Sequence, residues 1–200
     1  MQPATIIFIG PQGSGKGTQI EKLSQVISEK DPTRRVVDIQ TGRRFRALAA
    51  KNETFADKKI AANLNSGGLQ PDFITHLLWG QAMLDQLDPI SHLLIDGFPR
   101  TEHQARVLDD ALKFFERGHV DVINLDTPEE VVRERMLSRA RPDDTPESIE
   151  TRLQWYREDT VPVLDHYRAR PDTTVHDLNG NNTIYGVHQQ ILTALTLTND

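Results

Sequence analysis

Two hundred residues are enough for one domain in which a buried sheet carries helices on both faces. Lys and Arg number 23 against 29 Asp and Glu, a net charge of −6, which argues against a general binder of nucleic acid or anionic membrane. There is no cysteine, so disulfides, iron–sulfur clusters, thiolate zinc sites and cysteine nucleophiles are excluded. Hydrophobic residues at 37% and charged residues at 26% describe a soluble folded chain. No apolar run approaches the roughly 20 residues of a membrane span. The first residues lack a basic segment and cleavage site, and a cytoplasmic protein is expected.

Apolar runs alternate with amphipathic stretches along the chain. Thr5–Ile9 reads as a buried strand, and Gly15–Glu29 as a helix with Ile20, Leu23, Val26 and Ile27 at helical spacing. Val36–Ile39 is a second strand, followed by helices over Arg43–Ala50 and Ala56–Leu64, the latter stopped by Gly67-Gly68. A helix over Asp72–Leu87 opens after Pro71, and His92–Ile95 is a third strand ended by Asp96-Gly97. Glu102–Glu116 is a helix and Val120–Leu125 a fourth strand. Glu129–Arg139 and Pro146–Arg168 are helices around a short polar loop, Thr174–Leu178 is a fifth strand and Thr183–Leu195 a closing helix. The expected fold is α/β, a five-stranded parallel sheet in three layers. Ligands of such folds sit beyond the carboxyl ends of the strands.

The first strand runs into Gly10-Pro11-Gln12-Gly13-Ser14-Gly15-Lys16-Gly17-Thr18. Gly10, four residues, then Gly15-Lys16, set between a strand and a helix, fits a phosphate-binding loop. Glycines let several N–H groups turn toward one anion, and the helix adds its positive end. Lys16 supplies a point charge. The hydroxyl that usually follows the lysine is displaced by Gly17 to Thr18.

Asp96-Gly97-Phe98-Pro99-Arg100 follows the third strand. Asp96 at a strand end is placed to hold Mg2+ through water, because magnesium dehydrates reluctantly. Arg100 can fork onto a phosphate. Thr41-Gly42-Arg43-Arg44-Phe45-Arg46 ends the second strand, and Arg139, Arg141 and Arg152 follow the fourth. One such arginine is as readily a surface ion pair. The set, near a phosphate loop in an acidic chain, indicates a polyanionic ligand. The seven histidines show no ligand spacing and are assigned no catalytic role.

GPQGSGKGTQ, TGRRFR, GGLQPD, DGFPRTEHQ and RARPDD followed by ETRLQWY, in order from about Thr5 to Asn182, resemble an adenylate kinase of the nucleoside-monophosphate kinase family. The resemblance implies a phosphate-loop nucleoside-triphosphate hydrolase fold in one domain, 1–200, with a helical acceptor-binding insert over 40–70 and a minimal lid over 138–144. It implies reversible Mg2+-dependent phosphoryl transfer from ATP to AMP, by a monomer that uses neither zinc, nucleic acid nor membrane. Gly13, Ser14, Gly15, Lys16, Gly17 and Thr18 would then bind the ATP phosphates. Arg135 and the backbone of Asn182 would meet its adenine. Thr41 and Arg46, Gly68, Leu69 and Gln70, and Gly97, Phe98, Pro99, Arg100 and Gln104 would form the AMP site, with Arg141 and Arg152 reaching its phosphate. Lys16, Arg100, Arg139, Arg141 and Arg152 would stabilise the transferring group. A kinase for another monophosphate and a nucleotide-binding regulatory module are the alternatives.

The chain departs from the family pattern twice. Arg43 stands where an Asp is usual, in a first helical turn whose dipole disfavours cations, so either a phosphate or a nearby carboxylate offsets it or it points to solvent. Only Ala140 separates Arg139 from Arg141, where the resemblance implies that longer members of the family insert a small domain, so the lid is expected to be a tight turn that covers less of the ATP and leaks more water. Asp143 and Asp144 either pair with the arginines there or cap the helix from Pro146, a task Thr145 also suits. Trp79, Phe114, Phe115, Trp155 and Tyr156 are expected to pack rather than to stack on ligand.

Overall fold

The computed structural model describes residues 2–198. Five parallel strands form its sheet: β1 (Thr5–Ile9), β2 (Val36–Gln40), β3 (His92–Asp96), β4 (Val120–Asp126) and β5 (Thr173–Asn179), in the order β2-β3-β1-β4-β5. β1, β3 and β4 are central, and their apolar residues alternate between the two faces. Ile6 and Phe8 face one side with Leu94, Ile123 and Leu125, where α1 (Lys16–Lys30) and α9 (Ile184–Ala194) bury Ile20, Leu23, Ile27, Val187 and Ile191. Ile7 and Ile9 face the other with Leu93, Ile95 and Val122. There α4 (Asp72–Gln86), α5 (Glu102–Phe114) and α8 (Val161–Arg168) supply Trp79, Met83, Leu108, Val163 and Tyr167. These are the three layers that unbroken apolar strands demand.

The chain leaves β1, reaches edge strand β2, returns to β3, then crosses to β4 on the far side of β1. That reversal opens a crevice at the carboxyl end of β1. Register sets Asp96 beside Phe8 on one side and Gln40 on the other, so the ends of three strands meet there. Around the crevice stand α2 (Thr41–Lys51), α3 (Phe55–Asn65), α6 (Glu129–Arg139) and α7 (Pro146–Trp155).

Local signals start these helices. Thr54 and Asp57 close a reciprocal capping box on α3, and Thr101 accepts from the Gln104 N–H to cap α5. Thr145 caps α7, leaving Asp143 and Asp144 for the arginines.

The expected single helix over Pro146–Arg168 is broken. A π-helical turn over Tyr156–Thr160 separates α7 from α8. Pro162 has no N–H to return to the carbonyl four residues earlier, so the ladder is already one bond short there. The turn directs the Thr160 hydroxyl to the Arg100 carbonyl at 2.9 Å. Phe114 also differs from expectation: it ends α5 facing solvent, 74% exposed.

Candidate active site

The phosphate loop wraps the start of α1. Gly13 holds φ +92°, and a Cβ there would lie 2.9 Å from Met136 and 3.1 Å from the Val132 carbonyl, so glycine lets the loop lie flat on α6. The Lys16 ammonium folds over the loop, donating to the Gly10 and Pro11 carbonyls at 2.7 and 2.8 Å and to Ser14 Oγ at 3.4 Å. Burial lowers its pKa to about 8; Asp96 opposes that fall, and Arg100 and Arg139 reinforce it. Thr18 is exposed on the first turn of α1 and lines the cavity.

A cavity of about 380 Å³ extends from this loop. Gly13, Gly15, Lys16, Gly17, Thr18, Arg135 and Arg139 line it. So do Thr41, Arg46, Gly68, Leu69, Gln70, Gly97, Gln104, Arg141 and Arg152, with Asp96 and Arg100. Ser14 is buried behind the loop, while Phe98 and Pro99 lie behind Gly97 against a smaller adjoining void. Phe98 stacks on Trp79 with ring centroids 5.1 Å apart, and its peptide to Pro99 is cis. Asn182 lies outside the cavity wall, its side chain accepting from the Thr183 N–H at 2.7 Å. The loop that carries it does reach the site, because Arg135 donates to the Gly180 carbonyl at 3.1 Å and to the Ser14 carbonyl at 3.5 Å.

The cations come from separate turns, and the arginines lower the pKa of their cationic neighbours. Burial holds Arg100 down to about 10, with Asp96 opposing and Arg152 and Arg46 adding to the fall. Arg46 is lowered by burial and by Arg141 and Arg139, and Arg141 by burial and by Arg139 and Arg152. Neither Arg46 nor Arg141 has a hydrogen bond or ion pair to a carboxylate among the described residues. Adjacent desolvated cations are costly unless an anion joins them.

The Arg100 side chain is held by one hydrogen bond and one aromatic ring. Its Nε donates to the Gly97 carbonyl at 2.7 Å and its guanidinium lies 4.8 Å from the Trp155 ring centroid. Trp155 is therefore packing, as expected, but packing that aims a cation. Gly97 sits at φ +89°, where a Cβ would fall 2.5 Å from Thr41 Oγ1, so only glycine lets β3 pass this close to the start of α2.

The run 138–144, expected to be a lid, links α6 to α7. Arg139 pairs with Asp144 at 2.6 Å. Arg152 holds Asp143 and Asp144, each at 2.7 Å, and donates to the Leu64 carbonyl at 3.0 Å. Trp155 Nε1 donates to the Gly67 carbonyl at 2.9 Å. The end of α3 and the turn after it are thus fastened to α7. Arg43 meets a carboxylate, one of the outcomes expected: it pairs with Glu21 of α1, and both line the cavity.

The sequence reading passed over Glu21, Gln40, Asp38 and Asp72. Gln40 ends β2 and lines the cavity, so the strand-end rule that singled out Asp96 reaches it as well. Glu21 has no such signal, because only the fold brings α1 against α2. Asp96 Oδ1 is buried with no partner among the described residues, and so is Asp38 Oδ1. An orphaned carboxylate oxygen at the phosphate end of the cavity suits water-mediated Mg2+, a hard cation with oxygen ligands. No group of three or more His, Cys, Asp or Glu poised as a direct metal cage occurs among the described residues.

A family model described as adenylate kinase matches residues 8–171. The chain belongs to the adenylate kinase family. An adenylate kinase of Corynebacterium urealyticum is 36% identical over 190 residues, which cover 95% of this chain and 98% of that one. One of Cyanothece sp. is 41% identical over 180 residues, 88% of each chain, and adenylate kinase 1 of Nostoc sp. is 39% identical over 165 residues, 82% of this chain and 85% of that one. Family membership accounts for the parallel sheet, the phosphate loop and the arginine-lined crevice together. No helix of the described residues is long and apolar enough to cross a membrane.

Proposed function

We propose that this phosphotransferase moves the terminal phosphoryl group of ATP to AMP, giving two ADP, with the triphosphate at the Lys16 end of the cavity and the monophosphate at the Arg46 end. The observation that carries the reading is the convergence of Lys16, Arg46, Arg100 and Arg141 on one cavity where, among the described residues, no carboxylate is hydrogen-bonded or ion-paired to Arg46 or Arg141. Two nucleotides held end to end bring several negative charges within a few ångströms. The cations offset that repulsion and oppose the charge of the transition state in a site poor in water.

In the transfer an oxygen of the AMP phosphate forms a bond to the γ-phosphorus of ATP as the bond from that phosphorus to the β,γ-bridging oxygen breaks. The attacking oxygen is already anionic, so no general base is required, and none of the chain's histidines lines the cavity. Lys16 neutralises charge on the γ-phosphoryl group, while Gly13, Gly15, Gly17 and Thr18 turn N–H groups to the β- and γ-phosphates and Ser14, its N–H bonded to the Pro11 carbonyl at 3.2 Å, holds the loop in shape behind them. Arg46 and Arg100 orient the acceptor phosphate. Arg139, Arg141 and Arg152 close over the junction from the lid and α7. Thr41, Gly68, Leu69, Gln70, Gly97, Phe98, Pro99 and Gln104 bind or back the acceptor nucleoside. Arg135 and the loop with Asn182 flank the ATP base. Asp96 would hold Mg2+ through water, and the ion would neutralise charge on the ATP phosphates. The residues over 40–70 act as the acceptor insert and 138–144 as the lid of a monomer.

The test is ADP formation from ATP with AMP, GMP, CMP, UMP or dTMP as acceptor. AMP should give the highest kcat/KM. ADP formation with none of them would overturn the reading, and preference for another monophosphate would move it to a different acceptor.

A further inference from the structure

Gln104 is almost fully buried in the cavity wall, and its amide is held from both ends. The Arg100 backbone N–H donates to Gln104 Oε1 at 2.8 Å. Gln104 Nε2 donates to Asp72 Oδ1, also at 2.8 Å. A backbone N–H can only donate and a carboxylate only accepts, so these partners admit one orientation of the amide. Reversal would set donor against donor at Arg100 and acceptor against acceptor at Asp72, around a side chain too buried for solvent to relieve both clashes. Gln104 is also fixed at its backbone, where its N–H bonds the Thr101 cap at 3.1 Å.

We propose that Asp72, the first residue of α4 and not itself on the cavity wall, is a positioning residue that fixes the Gln104 amide and so selects a 6-amino base as acceptor. This rests on the acceptor site assigned above. With one N–H given to Asp72 and one lone pair taken by Arg100, Gln104 keeps one N–H and one lone pair for a ligand, side by side in fixed order. An adenine edge, ring nitrogen acceptor beside exocyclic amino donor, is complementary to that order. A 6-oxo purine, with a ring N–H beside a carbonyl, presents the reverse and would need the amide turned over. Asp72 belongs to α4 and Gln104 to α5, so base selection depends on the packing of two helices and not on Gln104 alone.

The experiment compares AMP and IMP as acceptors, with ATP as donor, in the unaltered protein, Asp72→Ala, Asp72→Asn, Gln104→Ala and the Asp72→Ala/Gln104→Ala double variant. Asp72→Ala should raise KM for AMP about tenfold, affect kcat less, and lower the AMP-to-IMP ratio of kcat/KM about tenfold, as expected for losing a charge-assisted bond. Asp72→Asn keeps the side-chain shape but can donate or accept, and should lower the ratio by a smaller factor; it decides the matter if Asp72→Ala does not fold. In the Gln104→Ala background, Asp72→Ala should leave the ratio where Gln104→Ala alone puts it, because the effect passes through the amide. A ratio unchanged by both Asp72 variants, or lowered equally with and without Gln104, would overturn the inference while leaving the acceptor site standing. An unaltered protein that makes no ADP from ATP and AMP, or uses IMP equally well, would overturn the acceptor site and this inference with it.

Discussion

Arg152 and Asp144 form a buried ion pair, Nη1 to Oδ1 at 2.7 Å, with side-chain exposures of 3% and 0%. The same guanidinium reaches Asp143 in the loop before α7 and the Leu64 carbonyl at the end of α3. One arginine of α7 therefore joins that loop to α3, and the two carboxylates hold it beside the cavity.

Removing Asp144 leaves Arg139 and Arg152 short of a carboxylate. Asp144→Ala should lower unfolding free energy by about 3 kcal/mol, and the melting temperature by about 6–12 °C. Burial raises the Asp144 pKa, but Arg139 and Arg152 outweigh it and the net direction is downward. The unfolded chain therefore binds this proton more readily than the folded one. The contribution is fully present above the usual carboxylate range and is lost as pH falls below it. Chemical denaturation at neutral and acid pH should show Asp144→Asn differing most at neutral pH. An equal deficit throughout acid titration would contradict this.

Lys16 must be charged to attract phosphate, and burial lowers its pKa to about 8 before ligand arrives. The kcat/KM for ATP should fall as pH rises through about 8, while kcat holds to higher pH because bound phosphates favour the ammonium. Lys16→Met, which cannot make the charge at any pH, should lower kcat at least about 100-fold. A pH profile of initial rates checks both. Flat kcat/KM through pH 9 would contradict the first.

How much was legible in the sequence depended on range. The strands were readable to within a residue or two: β1, β3 and β4 because their near-continuous apolar runs suit the centre of a parallel sheet, and the edge strands β2 and β5 from their β-branched residues and their place in the alternation. The phosphate loop and DGFPR were readable because glycines and a strand-end acid have few other uses at that spacing. The break between α7 and α8 was not, since apolar spacing around Trp155 and Val163 hides one extra residue per turn. Glu21 facing Arg43, and Asp72 facing Gln104, are partners across 22 and 32 residues that only the packed helices bring together. Phe114 failed because an apolar residue at the end of a helix can stay in water at small cost.

The Arg43–Glu21 pair is half-exposed at both ends, so Arg43→Ala should lower stability by less than about 1 kcal/mol. Its position on the cavity wall makes function the more sensitive readout. Arg43→Asp places an acid beside Glu21 and near Asp38 and Asp96, and should raise KM for AMP about threefold or more and shift the magnesium optimum. Unchanged AMP affinity and magnesium dependence would leave Arg43 with no part in catalysis.

As the proposed lid, the run 138–144 is so short that water would have a short route to the γ-phosphoryl group. ATP hydrolysis in the absence of AMP should exceed that of a family member with an inserted lid domain, measured as phosphate release under matched conditions. Release at or below the long-lid rate would show that the Arg139 and Arg152 pairs seal the site as well as a domain does.

The central claim is that cations from separate loops converge on one place where two nucleotides meet. A crystal structure with two adenosines joined through five phosphates tests it most directly. The account predicts one such molecule per chain, its phosphates against Lys16, Arg46, Arg100 and Arg141, and one adenine beside Gln104. A bound molecule with its second adenosine in solvent, and Arg46 and Gln104 untouched, would contradict it.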